Sequence, residues 1–194
     1  MLDQPRMAAI IGAGVALALL VVWIFVVGVD GFGLFSFAFR LVHVLSAMVW
    51  VGLIVFVNFV QLEAARLGDD ATRKVLHGAI APNVAWWIRH GSTLTVVSGI
   101  ALLVATGYLV PALVYGTAVY VPPSRATMLW AGVVAAFFMW MFVHMYIWPN
   151  MQIVIGKRSG DIPTARARVM LYARLNLVLA LPVTLVMVAG AHLY

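Results

Sequence analysis

The feature that most constrains this chain is its succession of long apolar runs, the first of them MAAIIGAGVALALLVVWIFVVG at residues 7–28. A hydrocarbon core about 30 Å thick needs about 20 apolar residues of helix to cross it. Lipid offers no partner to an unpaired backbone N–H or C=O, so such runs read as helices. Taken this way, the sequence predicts spans at about 7–28, 36–66, 84–110, 125–150 and 168–193. The expected fold is an all-α integral membrane protein, a single membrane domain over residues 1–194 built as a bundle of five transmembrane helices. Composition agrees: 65% of residues are hydrophobic and 9% charged, against about half and about a quarter in an ordinary soluble domain. The first run exceeds the apolar core of a signal peptide and leads into VDGFG, so it is expected to remain as a helix. The segment DDATRKVLHGAIA, residues 69–81, is too polar to cross. It predicts a short interfacial helix between the second and third spans.

Lysine and arginine set the orientation. With the N-terminus inside, Arg6, Arg66, Arg73, Lys74, Arg89, Lys157, Arg158, Arg166, Arg168 and Arg174 fall on the inner side, and only Arg40 and Arg125 fall outside. The expectation is N-in, C-out. Trp86, Trp87, Tyr108, Tyr115, Tyr120 and Trp148 flank the spans as an aromatic belt. The outer loop VPALVYGTAVYVPPSR is expected to fold back as a cap. The net charge of +6 is therefore read as topology, which leaves the lipid bilayer as the partner and excludes nucleic acid. The chain has no cysteine, which excludes disulfides, iron–sulfur clusters, thiolate zinc sites and the C-x-x-C-H attachment of c-type haem.

Ionisable residues are costly in hydrocarbon, so their placement carries information. At about 100° per residue, Arg40, His43, Ala47, Trp50, Ile54, Asn58 and Gln61 form one stripe of the second span, which is expected to face the bundle interior. The fourth span carries a stripe of Trp130, Phe137, Trp140, Met141, His144 and Trp148, and the fifth carries Arg174, Leu181, Leu185, Val188 and His192 on one side. The third span has the small residues Gly91, Gly99, Ala101 and Ala105, which let helices approach closely. Orientation sorts the histidines by depth: His43 and His192 at the outer level, His90 and His144 at the inner level, with His77 on the interfacial piece. Two layers of imidazoles on four helices fit haem b, which helical bundles hold between facing histidines. A lone intramembrane histidine can equally hydrogen-bond a neighbouring helix, and His90 beside Arg89 can contact headgroups. Arg40 fits either a snorkelling anchor or a partner for a haem propionate.

The stretch RLVHVLSAMVWVGLIVFVNFVQ resembles the opening motif of the urate oxidase N-terminal (membrane domain) family, an R-x-x-H pair followed by W-x-G and an aromatic–Asn–Phe–Val–Gln run. APNVAWWIRHGSTLTVVSGIALL, LWAGVVAAFFMWMFVHMYIWPNMQIVI and ARLNLVLALPVTLVMVAGAHLY are similar to its later segments, in order, so the resemblance covers about residues 36–194. The H-x-x-x-x-x-x-W-x-G pattern is more distantly similar to the copper-resistance D and haem-containing protoporphyrinogen oxidase membrane families. Family members linked to cytochrome c-dependent urate oxidation carry a c-type haem domain. This chain resembles a stand-alone form without it, since it lacks the cysteines that such a haem requires. The resemblance implies functional positions at Arg40, His43, Trp50, Gly52, Asn58, Gln61, Arg89, Trp148, Pro149, Asn176, Pro182 and His192. It favours His43 and His192 as a haem pair and does not extend to His90 or His144, the weaker second metal site.

The favoured expectation is a b-type haem protein of the bacterial inner membrane that passes electrons, with His43 and His192 as ligands, Arg40 and Trp50 beside the cofactor, and a periplasmic c-type cytochrome as partner. The alternative is a non-redox accessory subunit of a larger respiratory, oxidase or photosynthetic complex. A third reading is copper handling by Met139, Met141, His144 and Met145, since thioethers suit Cu(I).

Overall fold

The computed structural model describes residues 4–110 and 121–193. Five helices in it are long and apolar enough to cross a membrane: α1 (Pro5–Val27), α2 (Gly31–Leu67), α3 (Asp70–Ala105), α4 (Pro123–Val154) and α5 (Ile162–His192). Among the described residues the regular elements are all helical, and the chain is a multi-pass membrane protein. Most of the predicted outer cap, residues 111–120, lies outside the described residues.

The chain divides into two units, at residues 1–38 and 39–194. In the first, Pro5 occupies the first turn of α1, where its missing N–H costs nothing, and Gly28 ends the helix in the left-handed region at φ 70°. The Trp23 and Phe37 rings meet there at a tilt of 36°, with centroids 5.5 Å apart. The second unit carries most of α2 and all of α3, α4 and α5.

The helix limits differ from the expected ones in one instructive place. The segment read as a separate interfacial helix is instead the first three turns of α3. Asp69 caps it by accepting the Thr72 N–H at 2.8 Å, and the helix then runs without a break through Ala81 to Ala105. No residue between 70 and 81 breaks a helix, so continuation is cheaper than a turn. At its other end α3 stops at Ala105, short of the predicted 110, because Gly107 takes φ 74°.

Three of the long helices contain one π-helical turn each, at Val57–Gln61, Leu76–Ile80 and Phe142–Ile147. In each, the closing N–H reaches five residues back: Leu62 to Val57 O, Ala81 to Leu76 O and Trp148 to Val143 O. At each π turn an asparagine side chain also donates to the carbonyl four residues back, Asn58 Nδ2 to Ile54 O at 2.8 Å, Asn83 Nδ2 to Ala79 O at 2.8 Å and Asn150 Nδ2 to Tyr146 O at 2.7 Å. In two of the three the asparagine follows a proline, Pro82-Asn83 and Pro149-Asn150. Proline lacks an N–H and clashes with the carbonyl four residues back, so a wide turn before it relieves both faults.

Helix pairs in the second unit pack through small residues. Gly91 of α3 lies against Ser46, Val49 and Trp50 of α2, and Gly132 of α4 against Met187 of α5. Tyr146 and Tyr172 stack at 3.9 Å between α4 and α5. The core joins Trp50, Ile54, Ile88, Met139, Val143, Ile147 and Ala180. The structure shows which faces of α4 and α5 join it. On α4 the buried line is Gly132, Met139, Val143 and Ile147, while Trp130 and Phe137 of the aromatic stripe are exposed. On α5 the buried line is Ala165, Ala173, Asn176, Ala180, Ala189 and Gly190, and Leu181, Leu185 and Val188 point outward. Close packing, the main attraction between helices in lipid, selects small residues over large apolar ones.

Asp161 caps α5 by accepting the Thr164 N–H at 3.1 Å. The Thr164 hydroxyl and N–H hold the Asp161 carboxyl below the usual carboxylate range. A depressed folded pKa means the cap stabilises above the ordinary value and is lost as pH falls through the lower, folded one. Asp161→Ala is expected to lower the melting temperature in detergent at neutral pH, with the deficit shrinking as pH drops below about 4. A thermal-melt series against pH checks this.

Candidate functional site

His43 lies in the N-terminal half of α2, one turn from Arg40 and two turns from Trp50. Its Nδ1 is 2.8 Å from the carbonyl oxygen of Thr95 on α3. A carbonyl only accepts, so Nδ1 carries the hydrogen and the lone pair of the neutral ring falls on Nε2. The imidazole fits because Gly99 has no side chain: a Cβ there would lie 2.8 Å from His43 Cε1 and 3.0 Å from Nδ1. Gly91, Thr95 and Gly99 repeat at four-residue intervals, so one face of α3 forms the slot. Within it Thr95 and Ser98 return their hydroxyls to backbone oxygens of their own helix, Gly91 O and Leu94 O. The half-buried His43 is thus held in one tautomer with Nε2 free of any protein partner.

The other histidines differ in kind. His144, in the π turn of α4, engages both ring nitrogens, Nδ1 with Trp140 O at 3.0 Å and Nε2 with the Thr93 hydroxyl at 3.0 Å, and stacks on Trp140. His90 is exposed, donates Nδ1–H to Trp86 O at 2.8 Å and stacks on Trp86. Each imidazole thus bonds a carbonyl of its own helix, His144 bridging to α3 as well, and Arg89 lies over the Trp148 ring at 4.5 Å. His192 is exposed in the last turn of α5, on the outward face with Leu181, Leu185 and Val188. Arg40 is exposed as well, so the polar stripe of α2 is interior only from Trp50 onward. The residues of the copper reading are dispersed: Met139 is sealed in the core at 1% exposure and Met145 is 64% exposed. Among the described residues no group of three or more histidine or acidic side chains could hold a metal ion. An open apolar groove of about 470 Å³ lies between α2 and α3, lined by Met48, Val49, Gly52, Leu53 and Trp87, and it includes no histidine.

The C-terminal half of the α2 stripe forms a second polar group. Trp50, Asn58 and Gln61 are all buried, and across from them on α5 so is Asn176. Asn58 Nδ2 bridges the helices by donating also to Ala173 O at 3.2 Å, one turn before Asn176. Arg174 Nη1 approaches Asn58 O at 3.4 Å from the exposed side. Sequence reasoning placed Trp50, Asn58 and Gln61 on one line from periodicity, and Asn176 only through resemblance. It missed Thr95 and Thr93. The repeat Gly91–Thr95–Gly99 is the signal that could have found the first.

Comparison with protein-family models, with curated proteins and with solved structures finds no match.

Gly99→Ala is expected to push the His43 ring off Thr95 O and cost about 1–3 kcal/mol, the range for overpacking a tight site. His43→Ala in the same chain should recover most of that loss by removing the clash. Detergent thermal melts of the two single variants and the double variant measure it, and an unaltered Gly99→Ala melt would show that the ring does not rest on Gly99.

Proposed function

We propose that this chain is a membrane-embedded b-type haem protein that passes electrons, with His43 as an axial ligand. The observation that carries the reading is the 2.8 Å contact between His43 Nδ1 and Thr95 O. Histidines that bind metals characteristically donate their second ring N–H to a carbonyl or carboxylate, which fixes the tautomer and aims the other nitrogen. A porphyrin supplies four nitrogens itself, so one or two imidazoles suffice. The donor set fits: His43 Nε2 has no protein partner, and the exposed His192 is the proposed second ligand. Arg40, exposed one turn from His43, has the charge to pair with a propionate. Haem b, when bound, supplies one-electron chemistry whose potential depends on its axial ligands. What the chain's own residues do is hold the ligand's tautomer at Thr95 and keep the slot open at Gly99.

In this reading the N-terminus is inside and the C-terminus outside, by the ten-to-two distribution of basic residues. The first turns of α3 lie at the inner headgroup level. The membrane is a bacterial inner membrane, and the electron partner is a c-type cytochrome at the outer face. A second reading, an accessory subunit of a larger membrane complex, draws on α1: residues 5–27 are apolar on every side, as in a helix surrounded by lipid or other protein.

Protein purified in mild detergent from haem-supplemented cells is expected to show a Soret band and a reduced alpha band. His43→Ala should abolish haem binding and His192→Ala should convert low-spin to high-spin spectra. Colourless protein, or spectra unchanged in His43→Ala, would overturn the reading. A large complex co-purifying with colourless protein would favour the accessory role.

A further inference from the structure

The buried polar group of Trp50, Asn58, Gln61 and Asn176 has more hydrogen-bonding capacity than the protein uses. Trp50 Nε1, Asn58 Oδ1, Gln61 Oε1 and both amide atoms of Asn176 are buried without a protein partner. Each of these residues is at least nine-tenths buried, with Asn58 and Asn176 at 1% exposure. Asn58 bonds Ala173 O and Asn176 lies one turn further along the same face of α5, while Trp50, two turns before Asn58 on α2, shares the core with Ile54 and Ala180 between the same two helices. Buried polar atoms in folded proteins are almost always paired, with protein or with ordered water.

The chemistry of the atoms selects what can pair them. Asn58 Nδ2 faces two carbonyls, Ile54 O and Ala173 O, so its orientation is fixed and Oδ1 must accept. Trp50 Nε1 can only donate. Asn176 requires both a donor and an acceptor, whichever way its amide is turned. A bare cation cannot accept from the indole, and a bare anion cannot donate to Asn58 Oδ1. The ligand must both donate and accept, carry no net charge and fit among close-packed side chains. We propose that these four residues line an internal seam of ordered water between α2 and α5, running along the π turn of α2. Gln61 is two residues from Glu63 and five from Arg66, at the charged end of α2, and the exposed Arg174 donates to Asn58 O at 3.4 Å. Polar sites inside proteins commonly hold water that makes about three hydrogen bonds.

Two measurements on the intact protein in detergent test this. In hydroxyl-radical footprinting, water held in a closed site generates radicals beside residues that bulk solvent does not reach. Trp50, at 3% exposure, is expected to be oxidised at a rate comparable with Trp87, which is 56% exposed. In thermal melts, Asn176→Leu has opposite consequences in a wet and a dry site. In a dry site it removes two unpaired amide atoms and raises the melting temperature. In a wet site it strands Trp50 Nε1 and Asn58 Oδ1, so a fall of about 3–6 °C is expected. Protection of Trp50 from oxidation, or a raised melting temperature in Asn176→Leu, overturns the proposal. Should Asn176→Leu fail to fold, the footprint of the unaltered protein decides alone.

Discussion

Every carbonyl that a helix exposes inside a membrane must find a donor in the protein, and that requirement organises this molecule. Straight α-helices meet it automatically. The three π turns at Val57–Gln61, Leu76–Ile80 and Phe142–Ile147 do not, and at the first the Asn58 carbonyl is approached by Arg174 Nη1 of α5 at 3.4 Å. At each turn an asparagine amide donates to the carbonyl four residues back. Asn58 reaches further, to Ala173 of a different helix. The residue that sits in the widened turn of α2 therefore also ties α2 to α5.

That tie determines where the polar interior lies. A π turn shifts the faces of the residues that follow it, and Asn58 and Gln61 emerge on the buried side with Trp50. Ala173 and Ala180 are small enough to let α2 and α4 close around Asn176. Large apolar residues of α5 face outward, as they must when the attraction between helices is packing rather than escape from water.

The histidines, alike in sequence, are separated by what their nitrogens touch. His144 spends both on Trp140 O and the Thr93 hydroxyl, which makes it a strut between α3 and α4. His90 spends one and stacks on Trp86. His43 spends one on Thr95 O in a slot opened by Gly99, and its Nε2 is left for chemistry. A difference of a few ångströms in the facing helix thus separates a structural imidazole from a candidate ligand.

The sequence by itself determined the spans, because about 20 apolar residues in a row admit few other structures. It also placed Trp50, Asn58 and Gln61 on one line, and it marked Gly91 and Gly99 as points of close approach, because helical periodicity is a local property. It misjudged the segment from Asp70 to Ile80, where polarity argued for a separate helix and the backbone had no reason to break. It left the facing of the α4 and α5 stripes open, since a stripe of large apolar residues reads the same whether it meets lipid or protein. Only the tertiary structure decided that Thr95 O meets His43, that Thr93 occupies His144 and that Asn176 stands beside Asn58. Those pairings join residues 51 to 118 positions apart on different helices, and the order of helices around a bundle leaves no trace in the periodicity of any one of them.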